Sequence, residues 1–217
     1  HQKKNIIELG SGNGACEDIL KNNNIILTDI QKYPWISKRV DMNNLKLEKK
    51  YLNKVDVFIL NQALHHCANP SRLLKKMDTY LKKDGLILIR EPEISFFLKC
   101  LLYILDDEAW SYKVDIFNSK KNIFNPKSPW DANNATANLL FNNEDKFSLH
   151  FPKYKIIKNE LSEFSIFINS GGIVQKIPCV PVNRFFFSIL NCLDHMLIFL
   201  LPNIFALGRS VVLKKIK

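Results

Sequence analysis

Cysteine is scarce in this chain and never occurs as a closely spaced pair. The five cysteines are scattered and odd in number, at Cys16, Cys67, Cys100, Cys179 and Cys192. A framework of disulfides needs an even, clustered set, and a structural zinc site commonly shows a Cys-x-x-Cys pair. We therefore expect a reduced, cytoplasmic setting and no bound metal.

Acidic residues are also in the minority. The sequence holds 21 Asp and Glu against 31 Lys and Arg, so the formal net charge is +10. Such a charge permits an anionic membrane surface or a nucleic acid as a partner. The lysines are spread along the chain without an interleaved aromatic stripe, which favours a solvated basic surface and makes nucleic acid an unlikely partner.

A hydrophobic run long enough to cross a membrane without interruption is missing. Residues 185–201 come nearest, but Asp194 lies near their centre and Pro202 follows. An acid at mid-membrane costs about 2.5–3.5 kcal/mol on insertion scales, so we predict a helix that does not span a bilayer.

Two placements of this helix remain open. Its polar residues Ser188, Asn191, Asp194 and His195 recur at helical spacing and can face the domain. Alternatively the helix lies in a membrane interface, with Arg184, Arg209 and the lysines of residues 214–217 near lipid phosphates.

Glycine is rare, with seven residues in 217, and three of the seven stand at alternate positions. Gly10, Gly12 and Gly14 follow the apolar residues 6–9, and an amphipathic segment comes after them. This order predicts a buried strand, a tight turn and a helix. The missing side chains let a ligand approach the backbone of the turn closely.

The glycine turn suits two classes of cofactor. Gly10-x-Gly12-x-x-Ala15 fits the dinucleotide fingerprint, and Asp29 stands at the distance expected of a ribose-binding acid. Glu8, however, immediately precedes the turn and would repel a pyrophosphate. We therefore favour a cationic cofactor over a nicotinamide dinucleotide.

Short apolar runs alternate with helical patterns along the rest of the chain. Strands are predicted at residues 25–30, 40–45, 55–60, 86–89, 154–158, 164–168 and 209–214, and a helix begins at Asn69-Pro70. This alternation predicts an α/β fold with a mostly parallel sheet.

Glu8-x-Gly10-x-Gly12-x-Gly14, together with the segment from Asn61 to His66 and with Gly85, resembles the motifs of class I S-adenosylmethionine-dependent methyltransferases. The resemblance covers residues 5–93 and extends to the small-molecule group that includes ubiquinone- and menaquinone-biosynthesis enzymes. It implies one domain over residues 1–217, with a three-layer, Rossmann-like, seven-strand sheet. Residues 1–93 form its cofactor half, and residues 94–217 form a substrate half with a helical insert at about 170–208.

The resemblance also assigns the cofactor contacts. The glycine turn would surround S-adenosylmethionine, Asp29 and Ile30 would hold its ribose, and Asp41 and Met42 its adenine. Asn61 and Gln62 would contact it at the end of the fourth strand. The predicted cofactor residues are Glu8, Gly10, Ser11, Gly12, Asn13, Gly14, Asp29, Ile30, Asp41, Met42, Asn61 and Gln62.

Candidates for catalysis follow the fourth strand. His65 and His66 can serve as a base near neutral pH, although paired histidines here also start a helix or pack. We see no further metal ligand near them in the sequence. Glu91 and Glu93, at the end of the fifth strand, could face the substrate, but a solvated or capping position is expected for each.

Candidates for substrate binding lie in a turn-rich loop. Trp130, Asp131, Asn133 and Asn134 are the predicted contacts, and a helix cap is the competing role for Asp131. The apolar segment 96–105 and residues 185–201 suggest a hydrophobic acceptor, with an enlarged core as the alternative.

The sequence thus predicts a cytoplasmic methyltransferase for a small-molecule or lipid- or glycan-linked acceptor, with a membrane-peripheral position as an option. A non-catalytic scaffold that keeps the cofactor fold is one alternative. A nucleic-acid methyltransferase is another, but Asn61-Gln62-Ala63-Leu64 replaces the Pro-Pro-Tyr type of tetrapeptide that amino-methylating enzymes of that class carry.

Overall fold

The computed structural model describes residues 4–20, 24–106, 108–128, 131–169 and 180–217. Within them, seven strands form one sheet in the order β3-β2-β1-β4-β5-β7-β6. The strands are β1 (Asn5–Leu9), β2 (Asn24–Asp29), β3 (Lys38–Arg39), β4 (Val55–Asn61), β5 (Leu81–Pro92), β6 (Tyr154–Ser162) and β7 (Gly208–Lys215).

The sheet is parallel except around its last strand. β1 pairs in parallel with β2 and β4, β2 with β3, and β4 with β5. β7 lies antiparallel between β5 and β6. The carboxyl ends of β1, β2, β4 and β5 therefore meet at one edge, where open α/β sheets bind ligands.

Helices cover both faces of the sheet. They are α1 (Ala15–Ile19), α2 (Pro70–Asp78), α3 (Phe96–Leu105), α4 (Thr136–Phe141), α5 (Glu144–His150), α6 (Ser165–Asn169), α7 (Arg184–Leu200) and α8 (Pro202–Phe205). Because strand side chains alternate between faces, Ile6 packs toward Cys16 on the α1 side. Ile7 packs toward Leu74 of α2 on the other. The predicted three-layer α/β fold with a mostly parallel seven-strand sheet is confirmed.

The third strand is shorter than predicted and begins earlier. It comprises Lys38–Arg39, whereas the predicted segment 40–45 contains a 3-10 turn at Met42–Asn44. Asp41 caps this turn, since its Oδ1 accepts the N–H of Asn43 at 2.8 Å. A short acidic side chain that bonds the local backbone competes with strand pairing, and here it prevails.

The strand predicted at residues 164–168 is wrong, because those residues enter helix α6. The carboxylate of Asp194 accepts backbone N–H groups of Phe164, Ser165 and Ile166 at 2.9, 3.1 and 3.2 Å. The first N–H groups of a helix have no internal partner, so a carboxylate from α7 that satisfies them selects the helix.

The predicted helical insert is confirmed, since β6 ends at Ser162 and its neighbour β7 begins at Gly208. Asp194 is buried there, while Ser188, Asn191 and His195 of the predicted polar stripe are exposed. The four residues therefore do not act as one inward face. No helix among the described residues has the length and hydrophobicity to cross a membrane.

We expect Asp194→Ala to lower the free energy of unfolding by about 2–3 kcal/mol, because buried hydrogen bonds to a charged acceptor are lost. Urea denaturation followed by circular dichroism measures the change. Asn191→Ala, on the exposed side of the same helix, is the control and should change stability by less than about 0.5 kcal/mol. Equal losses in the two variants would contradict the capping role.

Candidate cofactor and acceptor site

The glycine turn connects β1 to α1 with a backbone that side chains rarely permit. Gly10, Gly12 and Gly14 have φ angles of +70°, +48° and +77°. A Cβ atom on Gly10 would lie 2.8 Å from the Cβ of Ala63, so the turn packs closely against the chain after β4. A Cβ on Gly12 would meet no atom within 4 Å, which leaves that side of the turn open.

A pocket of about 360 Å³ opens beside the turn, at the carboxyl ends of β1, β2 and β4. Seven predicted cofactor residues line it: Gly10, Gly12, Asp29, Ile30, Asp41, Met42 and Gln62. Six further residues complete the wall: Gln31, Tyr33, Val40, Asn43, Ala63 and His66. We call this space the donor pocket.

Asp29 is held in the wall of the donor pocket by two backbone hydrogen bonds. Its Oδ2 accepts the N–H of Gly12 at 3.0 Å, and its Oδ1 accepts the N–H of Gln31 at 2.8 Å. A carboxylate oxygen can accept more than one hydrogen bond. Both oxygens can therefore still receive the hydroxyl groups of a vicinal diol.

Five predicted cofactor residues do not line the donor pocket: Glu8, Ser11, Asn13, Gly14 and Asn61. Ser11 and Asn13 hold the turn itself, because Ser11 Oγ accepts the N–H of Thr28 and Asn13 Oδ1 accepts that of Ala15. Asn61 Oδ1 accepts a long 3.5 Å hydrogen bond from Arg90. The side chains of Ser11, Asn13 and Asn61 thus stabilise the segments that form the pocket's wall.

Glu8 is buried next to the turn, with 3% of its surface exposed. Its Oε2 has no hydrogen-bond partner among the described residues. Burial in a medium that disfavours charge raises its pKa above the ordinary value. A buried acid with an unused oxygen is suited to a nearby cation.

An aromatic pair beside the glycine turn was missed in the sequence. The indole N–H of Trp35 donates to the carbonyl of Gly12 at 2.8 Å, and its ring stacks on Tyr33 with centroids 5.3 Å apart. Trp35 also fills the space where a side chain on Gly14 would lie. The aromatic residues just after Asp29 were the available signal.

A second, smaller cavity of about 120 Å³ adjoins the donor pocket and shares Gln62 and His66 with it. We call it the acceptor cavity. Its other lining residues are His65, Pro92, Leu98, Leu102, Glu108, Asn134 and Phe167. Gln62, at the junction, has a φ of +53°, a conformation that costs energy for a residue with a side chain and is frequent at binding sites.

Glu91, in β5, holds in place the chain segment after β4 that lies between the donor pocket and the acceptor cavity. Its Oε1 accepts the N–H groups of Ala63 and Leu64 at 2.9 and 2.7 Å, and its Oε2 accepts that of His65 at 3.1 Å. The His65 ring reaches the same Oε2 through Nδ1 at 2.5 Å. Glu91 is buried, so its expected solvated position is wrong while the capping role is observed.

Glu93 is also buried, contrary to a solvated placement. It forms an ion pair with Arg209 of β7 at 2.6 Å and accepts a hydrogen bond from Asn138 at 2.7 Å. These contacts connect the chain directly after β5 to β7 and α4, so Glu93 stabilises the packing of the substrate half.

The two histidines differ in their electrostatic surroundings. Burial alone would lower the pKa of His65, but the carboxylates of Glu91 and Glu108 outweigh it and raise this pKa to about 10. Burial and the neighbouring His65 lower the pKa of His66. His66 is thus the neutral member of the pair at pH 7, and it borders both spaces.

The predicted substrate residues have separate positions. Asn134 lines the acceptor cavity and its Nδ2 donates to Glu108 Oε2 at 3.3 Å. Asn133 is buried, with Oδ1 accepting the N–H of Ser111 at 2.8 Å. The carbonyl of Asp131 accepts from His66 Nδ1 at 3.3 Å. Trp130 lies outside the described residues.

A third, open cavity of about 630 Å³ adjoins the acceptor cavity, with which it shares Leu102 and Glu108. Phe96, Tyr103 and Trp110 line it and are exposed by 60%, 89% and 39%. We call it the outer cavity. The sequence predicted the apolar helix α3, but it gave no indication that residues 108–110 return to its surface.

Comparison with known proteins places the chain in a family. Residues 1–144 match the family described as a methyltransferase domain, and the chain belongs to this family. No curated protein matches at a significant level. The predictions of a methyltransferase, and of an enzyme, are confirmed, and the nicotinamide alternative is set aside.

Solved structures agree with the fold at low identity. A SAM dependent methyltransferase from Archaeoglobus fulgidus is 16% identical, with a TM-score of 0.57 over 99% of this chain and 87% of that chain. A putative sarcosine dimethylglycine methyltransferase from Galdieria sulphuraria is 12% identical, with a TM-score of 0.53 over 99% and 79%. The methyltransferase CalH in complex with SAH is 12% identical, with a TM-score of 0.50 over 98% and 51%.

The raised pKa of Glu8 predicts that the stability of the ligand-free protein depends on pH. The folded state retains a proton that the unfolded chain releases, so stability falls as pH rises through the raised pKa. We expect Glu8→Gln to be more stable than the natural chain near pH 7. The two should converge below about pH 4, where the carboxyl is protonated in both states.

Thermal unfolding between pH 4 and pH 8 measures this difference. The exposed Glu144→Gln serves as the control, because its stability relative to the natural chain should not follow the same trend. The Glu8→Gln variant's stability relative to the natural chain should be higher at pH 7 than at pH 4. The opposite result would contradict the claim that burial disfavours the charged form of Glu8.

Proposed function

We propose that the chain transfers a methyl group from S-adenosylmethionine to a small-molecule or lipid- or glycan-linked acceptor. The observation that carries the proposal is the adjacency of three spaces. The donor pocket shares Gln62 and His66 with the acceptor cavity, which shares Leu102 and Glu108 with the outer cavity. A donor and an acceptor can therefore meet beside His66.

The donor pocket fits S-adenosylmethionine, which supplies a methyl group activated by a sulfonium. Asp29 has acceptor capacity left for the two ribose hydroxyls, and Gly12 leaves room for close approach. Asp41 and Met42 line the part of the pocket assigned to adenine. Glu8 does not line the pocket, but its buried Oε2 without a partner among the described residues lies next to the glycine turn, where an acid would favour the cationic end of the molecule.

The acceptor cavity positions the nucleophile and excludes water. Methyl transfer needs an in-line approach, so alignment of the acceptor in a small space that a bound acceptor would fill supplies much of the rate enhancement. We assign the catalytic role to His65 and His66, which lie where the acceptor atom would enter. Asn134 would complete the substrate contacts, with Trp130 and Asp131 of the same loop as further candidates. Asn133 would hold the loop in place, because its side chain bonds Ser111 and Ala135.

An apolar acceptor suits the outer cavity. Exposed aromatic side chains and Leu102 form its wall, with Lys99 and Asp106 at the same opening. This combination fits a molecule with a hydrophobic body and a polar end, as in a quinone-like or lipid-linked compound. It gives a nucleic-acid backbone no continuous row of cations.

Calorimetry with S-adenosylmethionine tests the donor half. We expect Asp29→Asn to weaken binding by about 10-fold or more, since hydrogen bonds to a charged group contribute about 1.5–3 kcal/mol. Asp145→Asn, on exposed helix α5, is the matched control and should bind as the natural chain does.

Transfer of a labelled methyl group to a fraction of small polar or lipid metabolites then tests the acceptor half. Binding without labelling of any fraction would favour the scaffold alternative. Labelling of RNA or DNA in place of these fractions would favour the nucleic-acid alternative. Failure of the natural chain to bind the cofactor would overturn the proposal itself.

A membrane surface is the second partner that we propose, on the evidence of α7. Phe185, Phe186, Phe187, Phe199 and Leu200 are exposed there by 48–87%. We call these residues the α7 face. Exposed Arg184 starts the same helix, and the chain has a net charge of +10, so an anionic bilayer complements the surface.

Flotation with anionic phospholipid vesicles tests this partner. We expect the natural chain to float, and the Phe186→Ser/Phe187→Ser double variant to lose most of its association. Ile157→Ser, at an exposed position of β6, is the control. Self-association in gel filtration that the double variant abolishes, without flotation, would instead identify a second copy as the occupant.

A further inference from the structure

Glu108 brings a carboxylate between the two histidines of the acceptor cavity. His65 Nε2 lies 3.4 Å from Glu108 Oε2, and His66 Nε2 lies 3.3 Å from Glu108 Oε1. The ligand-forming atoms of the three residues all lie within 4.8 Å of one another. Three potential metal ligands therefore converge on one point of the cavity wall.

The other ring nitrogens already have partners that only accept. His65 Nδ1 faces Glu91 Oε2 at 2.5 Å, and His66 Nδ1 faces the carbonyl of Asp131 at 3.3 Å. Each Nδ1 must then carry the ring's proton, because a carboxylate and a carbonyl have none to give. Metal binding requires both rings to be neutral, so it would displace any proton that His65 Nε2 shares with Glu108. Both Nε2 atoms then direct a lone pair toward the carboxylate of Glu108.

This pattern is that of histidines that bind a metal. A metal-bound histidine usually donates its second N–H to a carboxylate or a backbone carbonyl, and both partners occur here. Asn134 Nδ2 donates to Glu108 Oε2 at 3.3 Å, which orients the third ligand. Lone pairs that face a carboxylate repel it unless a cation lies between them.

The spacing fits a small first-row ion. Two ligands at about 2.0–2.1 Å from a tetrahedral Zn²⁺ are roughly 3.3–3.4 Å apart. Each histidine Nε2 lies at this edge length from one oxygen of Glu108, His65 from Oε2 at 3.4 Å and His66 from Oε1 at 3.3 Å, so the carboxylate can bind the ion through either oxygen or both. Nitrogen ligands favour Zn²⁺ and similar transition ions over Mg²⁺ and Ca²⁺, which prefer oxygen.

We propose that His65, His66 and Glu108 bind a divalent transition-metal ion, best matched by Zn²⁺, in the wall of the acceptor cavity. Three protein ligands leave a position open, and the open position faces a cavity of about 120 Å³. A hydroxyl, carboxylate or carbonyl oxygen of an acceptor is the ligand class that fits it.

The role of the ion in catalysis rests on the proposed function, whereas metal binding itself does not. A bound divalent ion lowers the pKa of an oxygen ligand and orients it, which prepares an acceptor oxygen for methylation. The histidines then act as ligands that position the acceptor. The expectation of no metal, drawn from the sequence, is the prediction that this proposal replaces.

Calorimetric titration of chelator-treated protein with Zn²⁺ tests the site. We expect one ion to bind per chain, and His66→Ala and Glu108→Ala each to weaken binding by at least about 100-fold, since loss even of an outer-shell partner costs 10–100-fold. His195→Ala is the matched control, because this histidine is exposed on α7. Mg²⁺ in excess should not compete.

Titration with Co²⁺ in an absorption spectrometer identifies the ligand atoms. Bands of a low-symmetry site without a thiolate charge-transfer band are expected, which separates this site from binding at a cysteine. Circular dichroism of each variant checks that the fold is retained.

Two outcomes overturn the inference. Absence of saturable Zn²⁺ or Co²⁺ binding would mean that protons alone join the histidines to Glu108, and binding that survives both substitutions would place the ion elsewhere. Binding of S-adenosylmethionine to the same samples separates the two proposals. Cofactor binding without metal removes only this inference, and metal binding without methyl transfer removes only the proposed function.

Discussion

The buried carboxylate of Glu91 is the interaction on which the site depends. It lies at the end of β5, yet its hydrogen bonds go to the chain that follows β4. It accepts bonds from three backbone N–H groups and from the ring Nδ1 of His65. A buried charge is costly unless its hydrogen bonds are satisfied, and here one element satisfies all of them. The ends of two neighbouring strands are thereby fixed to each other, and Ala63, which closes over Gly10, is fixed with them.

The substrate half is connected to this arrangement by a second buried charge pair. Glu93, two residues after Glu91, binds Arg209 of β7, and Arg209 donates also to Asn159 of β6 at 2.8 Å. Removing either partner would leave a buried charge without compensation, so the pair makes the strand order specific. The donor and acceptor sides of the sheet are therefore held by two acids two residues apart, Glu91 in β5 and Glu93 directly after it.

The cofactor half was predictable because its signals are local. Glycines at alternate positions, an acid at the end of β2 and an apolar β4 each follow from neighbouring residues. The third strand was misplaced by a local bond, the cap that Asp41 forms with Asn43, whereas the other errors arose where a distant group decided the outcome. Asp194 made a helix of residues that alternate like a strand, and Glu108 joined His65 and His66 from beyond α3. The spacing of residues along the chain does not predict contacts between such distant groups.

The long insertion enters and leaves the sheet at a single point. Ser162, the last residue of β6, is paired with Gly208, the first of β7, so the ends of the insertion are neighbours in the ladder. The entropy of closing a loop grows only slowly with its length. Changes of length in the middle of the insertion therefore need not alter the register of β6 and β7. Phe167 is its one described residue in the lining of the acceptor cavity, so such changes would reach that cavity at a single place in its wall.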